Sequence, residues 1–297
     1  MSIPYIIQQV INGLVLGSIY SLVALGFSLI YSILRLINFA HGDIIMVGAF
    51  LALFLSSSAL PFWAMVILVG LAGCLAGVVL ERIAFRPVRT APQVTGFITS
   101  LAVSSFLQNL GILTLTAQPR TLRIPDFLSR ITTLGPVGIR NIDLVIPFLA
   151  IVFAILLNLF VRGTKMGIAI RATAENLQVA RLMGINVNKV IVVTFAIGSA
   201  LATIAGVMWG GRYGQVDPLM GFIPGLKAFV AAVIGGVGSL PGALLGGYFL
   251  GLSEVLFVGL LPPQYSGYRD AFVFGLLLLV LLVRPIGLLG RSVEVEE

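Results

Sequence analysis

The side chains able to do chemistry are few, and their types exclude most of it. The chain has one histidine, His41, and one cysteine, Cys74. Zinc takes three or four His, Cys or carboxylate ligands, so neither a His-rich nor a Cys-rich metal cluster can form. One thiol allows no intrachain disulfide. The only lysines are Lys165, Lys189 and Lys227, and none closes the Gly-x-x-x-x-Gly-Lys-Ser/Thr frame that cradles phosphates. Any ATP on which the chain depends is therefore bound by another chain. The carboxylates form no cluster suited to acid–base catalysis or metal binding, which argues against a membrane enzyme.

Polar residues set in apolar surroundings remain. Asn38-Phe39-Ala40-His41-Gly42-Asp43 places ionisable groups beside an apolar run, where they are expensive and often functional. Asn38 and Asp43 suit capping of the next helix. A role in the pathway or its gating, with Gly42 interrupting the helix, is the alternative. His41 titrates near neutral pH if exposed and is otherwise a hydrogen-bonded structural residue. Glu254 lies mid-run within 252–257, needs a partner or water, and is expected to face a bundle interior. It reads as an isolated intramembrane charge. Thr99, Ser104, Ser105, Gln108 and Asn109 suit interhelical hydrogen bonds and substrate contacts equally.

The elements that must position these residues follow from composition. Of 297 residues, 59% are hydrophobic and only 10% charged, against about a quarter charged in a soluble domain. In lipid the backbone must satisfy itself within helices or a closed barrel, and the long continuous apolar runs lack the alternation of a barrel strand. The fold class is an all-α membrane protein, a polytopic bundle of eight or nine transmembrane helices. With about 20 residues per crossing, spans fall near 6–33, 40–59, 62–81, 94–117, 143–161, 190–210, 222–238, 242–261 and 269–289. The seventh and eighth are two spans joined by a hairpin at 238–242, or one re-entrant element. The whole chain reads as a single transmembrane domain, since every polar segment is too short to bury a core of its own. The N-terminal stretch lacks a basic leader and a cleavage site and is expected to be retained.

Net charge is +7. In a membrane protein this reflects basic cytoplasmic loops rather than nucleic-acid binding. Arg82, Arg86 and Arg89 flank one span end; Arg162, Lys165, Arg171, Arg181 and Lys189 fall within 162–189. Placing both segments in the cytoplasm puts the N-terminus outside and the C-terminal end, with Arg284 and Arg291, inside. Arg120, Arg123, Arg130 and Arg140 then fall outside, as does Lys227, so the bias is incomplete. Glycine-rich stretches at 235–238 and 246–247 predict close packing of spans seven and eight.

The loop 162–189 carries a helix-prone stretch over 172–183. Glu175 lies one turn after Arg171, within pairing distance on a helix. Leu177, Ala180 and Gly184 recur as a narrow stripe, and Gly184 is placed to end the helix in a left-handed cap. Such a stripe fits a docking peg for a partner, and equally an ordinary helix lying on lipid headgroups.

Ala174-Glu175-Asn176, followed by Ala180 and Gly184, resembles the "EAA" loop of ABC importer permeases, with Asn176 and Leu177 standing where two alanines would be. The flanking sequence, together with INFAHGDIIMVGAF at 37–50 and AFVAAVIGGVGSLPGALLGG at 228–247, is similar to the branched-chain amino acid permease family. The resemblance spans nearly the whole chain. It implies a multi-pass protein of the bacterial inner membrane that pairs with a second permease subunit, a paralogue or a copy of itself. Two cytoplasmic ATPase subunits would bind the ATP, and a periplasmic binding protein would deliver substrate; this chain itself would hold no cofactor. Arg171, Ala174, Glu175, Asn176, Ala180 and Gly184 would form the coupling helix. The implied substrate is a branched-chain or other neutral amino acid, with urea or a short amide as the sibling alternative. A transporter or channel working alone would need paired intramembrane charges or a selectivity filter, and Glu254 by itself supplies neither.

Overall fold

Each of the nine apolar runs folds as a helix, as backbone hydrogen bonding in lipid demands. The computed structural model describes residues 2–58, 60–115, 117–135 and 137–290; Arg291 and the acidic residues Glu294, Glu296 and Glu297 lie outside the described residues. The apolar runs are α1 (Ile3–Leu34), α2 (Ala40–Ser56), α3 (Phe62–Leu80), α4 (Gln93–Thr114), α6 (Asn141–Gly163), α9 (Val187–Tyr213), α10 (Phe222–Gly235), α11 (Leu240–Leu260) and α12 (Arg269–Val283). A π-helical turn, Glu81–Phe85, extends α3. Between them lie α5 (Asp126–Ser129), α7 (Lys165–Glu175) and α8 (Leu177–Leu182).

The centre of the bundle is α1, whose most apolar window is 94% buried. It is clasped by α11 on one side and α9 on the other, and both contacts are made by small residues. A Cβ on Gly251 would stand 2.3 Å from the Cα of Gly17, and one on Gly247 would stand 2.3 Å from Ser21 Oγ. Lipid offers no hydrophobic drive between helices, so close backbone approach through small residues supplies the van der Waals contact instead. The glycines at 235 and 246 likewise seat α10 against α11, as their sequence predicts. Gly236 at φ 105° and Gly238 at φ 85° turn the chain between these helices, and Ser239 caps α11 by accepting from Gly242 N at 3.2 Å.

Among the described residues seven helices are long and apolar enough to cross a membrane, α12 counting with the 3-10 turn Pro263–Tyr268 that runs into it; α2 and α10, with 17 and 14 residues, are shorter. At 1.5 Å per residue they reach roughly 25 and 21 Å, short of the ~30 Å hydrocarbon core. Both begin inside the bundle. His41 stands beside Gly26, which packs on Gly198 in the middle of α9, and Ile45 packs on Gly206. The first turn of α10 meets the first turn of α2, where a Cβ on Gly225 would stand 2.4 Å from the Cα of Gly42. Broken helices of this kind are tolerated at depth because surrounding protein covers their ends.

The polar stretch after α4 is more ordered than a plain loop. Strands β1 (Arg120–Thr121), β2 (Ile131–Leu134), β3 (Val137–Arg140) and β4 (Gln215–Val216) form two antiparallel pairs, β1 with β4 and β2 with β3. Arg212 on α9 and Arg140 both pair with Asp143 on α6, at 2.5 and 3.2 Å, tying this cap to the helix ends.

Candidate functional site

Side-chain caps shape the loop between α6 and α9. Thr164 Oγ1 accepts from Gly167 N at 3.0 Å and starts α7. Asn176 adopts an extended conformation, φ −149° and ψ 111°, and its Oδ1 accepts from Gln178 N and Val179 N at 3.0 Å each. Asn186 caps α9 through Lys189 N. The stretch expected as one helix over 172–183 is thus two, because a capping Asn satisfies the free N–H groups of a new helix. Gly184, at φ 79°, ends α8; its N–H reaches Arg181 O and that of Ile185 reaches Ala180 O, the paired bonds of a Schellman cap.

The side chains of this loop do not point as their spacing suggested. Arg171 and Glu175 are exposed and form no ion pair with each other among the described residues, and Ala174 is half-buried. Ala180 turns inward, 3% exposed, and packs on the core. Beside the polar Gln178 and Arg181, α8 and its C-cap expose Val179, Leu182 and Met183, the last two 86% and 77% exposed. Arg89, from the turn after α3, donates to Asn188 Oδ1 at 2.8 Å and pairs with Glu81. The two Arg-rich segments therefore meet at one end of the bundle. They border a cleft of about 240 Å³ lined by Glu81, Arg82, Arg86, Arg89, Asn186, Asn188, Lys189 and Val192. Burial, with the Arg181 charge nearby, lowers the pKa of Arg89 from the ordinary guanidinium value.

At the start of α2, Asn38, His41 and Asp43 are all buried. The helix has no side-chain cap, so neither Asn38 nor Asp43 plays the capping part that suits its type. Asp43 instead accepts from Gln108 Nε2 on α4 at 3.0 Å, and Gln108 also donates to Ser104 Oγ at 3.1 Å. Among the described residues, Asn38 Oδ1, both His41 ring nitrogens and Asp43 Oδ2 make no hydrogen bond of ordinary geometry. His41 faces α1 beside Phe27, whereas Asp43 faces α4, so these two do not converge. Gly42 serves the backbone crossing with α10.

Glu254 faces the interior, as expected, but it is not isolated. Its Oε1 lies 2.7 Å from Lys227 Nζ and 2.5 Å from Arg269 Nε, and its Oε2 accepts from Tyr20 OH at 3.0 Å. Lys227 also reaches Asp270 Oδ1 at 2.7 Å. Lys227 and Glu254 are each 1% exposed. Lys227, whose charge the sequence reading counted on the outer side, is buried in α10, within the bundle.

The family profile described as the permease component of branched-chain amino acid transport systems matches residues 9–282. The high-affinity branched-chain amino acid transport system permease protein LivH of Escherichia coli is 39% identical over 99% of this chain and 98% of its own length. Its counterpart BraD of Pseudomonas aeruginosa is 39% identical over 99% of each chain. The chain belongs to this permease family. More distantly, the ribose import permease protein RbsC of Haemophilus influenzae is 26% identical over 82% of the chain and 76% of its own length. No solved structure matches.

In this permease the members of the buried ion cluster that sequence reasoning missed are Lys227, Arg269, Asp270 and Tyr20. A signal for one was present: Lys227 interrupts an otherwise apolar run, and a charge there demands a partner. Arg269 and Asp270 read as the polar edge of the last span. Only packing brings all four to Glu254. The paired charges that a transporter working alone would need are therefore present, so their supposed absence no longer argues against that alternative; family membership does.

Proposed function

We propose that this permease is the membrane subunit of an ATP-driven importer of branched-chain or other neutral amino acids. The observation that carries this is end-to-end similarity to permeases that bear that name. A second permease subunit completes the pathway, two cytoplasmic ATPases supply energy, and an extracytoplasmic binding protein delivers substrate. The N-terminus lies outside and the C-terminal end in the cytoplasm. Contact between the two Arg-rich segments at one end of the bundle supports that orientation.

The contact with the ATPases is the capped loop 164–186, and its exposed apolar residues Val179, Leu182 and Met183 are the docking peg. ATP-driven movement of the ATPases shifts α7 and α8, with Arg171, Ala174, Glu175 and Asn176 fixing their geometry, Gly184 ending α8 and Ala180 anchoring it to the permease. Asn38, His41, Gly42 and Asp43, where α2 and α10 meet, belong to the moving part of the pathway. In the reconstituted transporter, Leu182→Glu is expected to cut ATP-dependent leucine uptake at least tenfold while permease abundance in the membrane stays normal. Wild-type uptake by this variant overturns the docking assignment. Uptake of leucine by the permease without ATPases overturns the importer reading in favour of a transporter working alone.

A further inference from the structure

The ion cluster around Glu254 has a crosswise arrangement. Two buried, opposite charges, Lys227 on α10 and Glu254 on α11, touch each other and are each met by a charge from the first turn of α12. Arg269 faces Glu254 and Asp270 faces Lys227. The buried members are 1% exposed, whereas the side chains of Arg269 and Asp270 are 42% and 54% exposed. Tyr20 holds Glu254 Oε2, leaving Oε1 as the atom that Lys227 and Arg269 share. Two consecutive residues thus present a cation and an anion side by side to a buried anion and cation.

An α-amino acid presents the same two charges across one carbon. We propose that Lys227 and Glu254 bind the zwitterionic head of the transported amino acid, carboxylate on Lys227 and ammonium on Glu254, and that Arg269 and Asp270 occupy this site when it is empty of substrate. The proposal rests on the amino-acid reading above and names the site for it. The exchange replaces like charge with like, so the buried pair is never left uncompensated, which is the costly outcome for buried ions. The segment that must yield is little covered by the rest of this chain: the span that includes α12 is 6% buried in its apolar window, and the turn before it, Pro263–Tyr268, has no buried residue. An uncharged solute such as urea offers nothing to replace either stand-in charge, so the site also selects against it. Because Arg269 and Asp270 compete with substrate, they lower its apparent affinity by the fraction of time they occupy the site.

The test is binding of radiolabelled leucine to the assembled transporter in nanodiscs, with 3-methylbutylamine and 4-methylpentanoate as competitors that lack the carboxylate and the ammonium. Wild type is expected to bind leucine at least tenfold more tightly than either analogue. Lys227→Gln should weaken leucine about tenfold, to the level of the amine, while leaving the amine unchanged; Glu254→Gln should do the same relative to the acid. Arg269→Gln and Asp270→Asn should tighten leucine severalfold. Unchanged leucine affinity in Lys227→Gln, or an equal weakening of all three ligands, overturns the site. If the buried variants fail to assemble, the half-exposed pair decides, and unchanged leucine affinity in both overturns it. A wild-type transporter that takes up no neutral amino acid overturns the functional reading and this site with it, whereas normal wild-type uptake with indifferent variants overturns the site alone.

Discussion

Charge pairs in this permease differ in worth according to burial. Glu254 serves Lys227, Arg269 and Tyr20 at once and is almost wholly buried. Removing it leaves Lys227 with Asp270 alone, and breaking a buried pair costs about 3–5 kcal/mol. Asp270 is half-exposed, and exposed pairs contribute only about 0–1 kcal/mol. Glu254→Ala is therefore expected to lower the melting temperature of the purified protein far more than Asp270→Ala, as read by a thermal shift in detergent. Equal shifts would show that the network is worth no more inside the bundle than at its edge. At this scale the sequence was only half informative. It marked Glu254 as needing a partner and Asn176, Gly184 and His41 as special, because residue type alone carries those facts. It could not orient Ala180, since a stripe of small residues looks the same whether it faces a partner or its own core.

Helices were the most legible feature, because apolar length is a property of one segment. Every run read as a span folds as a helix, and the turn between α10 and α11 falls where Pro and Gly mark it. Depth was not legible: that α2 and α10 begin within the bundle depends on Gly42 crossing Gly221 and Gly225, a relation between segments far apart in sequence. Likewise the break at Asn176 depends on which N–H groups its side chain finds. Glycine packing is open to test at the element scale. A Cβ at position 251 meets the backbone of Gly17 on α1, whereas one at position 275 on α12 meets nothing within 4 Å. Gly251→Ala is expected to push α1 and α11 apart and reduce yield and melting temperature. Gly275→Ala should be neutral or stabilising by up to about 1 kcal/mol, the difference in helix propensity. The order of the two variants in a thermal shift measurement checks this, and a reversed order rules out α1–α11 contact through these glycines.

At the scale of the whole molecule, the bundle has two chemically different ends. One gathers Arg82, Arg86, Arg89 and Lys189 around the cleft beside α8; the other carries the β1–β4 pair and the Arg140–Asp143–Arg212 cluster. Both ends are basic, so counting charges along the sequence gave only a bias. What separates them is organisation. At the second end Asp143 pairs with both Arg140 and Arg212 and offsets one of their two charges, whereas four basic side chains share the cleft at the first end with Glu81 alone. Loops that stay in the cytoplasm are the ones rich in Lys and Arg near the helix ends, which favours the proposed orientation with the first end in the cytoplasm. Cys74, the only cysteine, can be replaced by serine to give a background for single-cysteine variants. In that background Leu182→Cys, at the first end, should react with a membrane-impermeant maleimide only in inside-out vesicles. Gln215→Cys, exposed on β4 at the other end, should react only in right-side-out vesicles. The opposite pattern would invert the molecule in the membrane and move the docking peg away from any cytoplasmic ATPase, so this measurement bears on the coupling mechanism as directly as on topology.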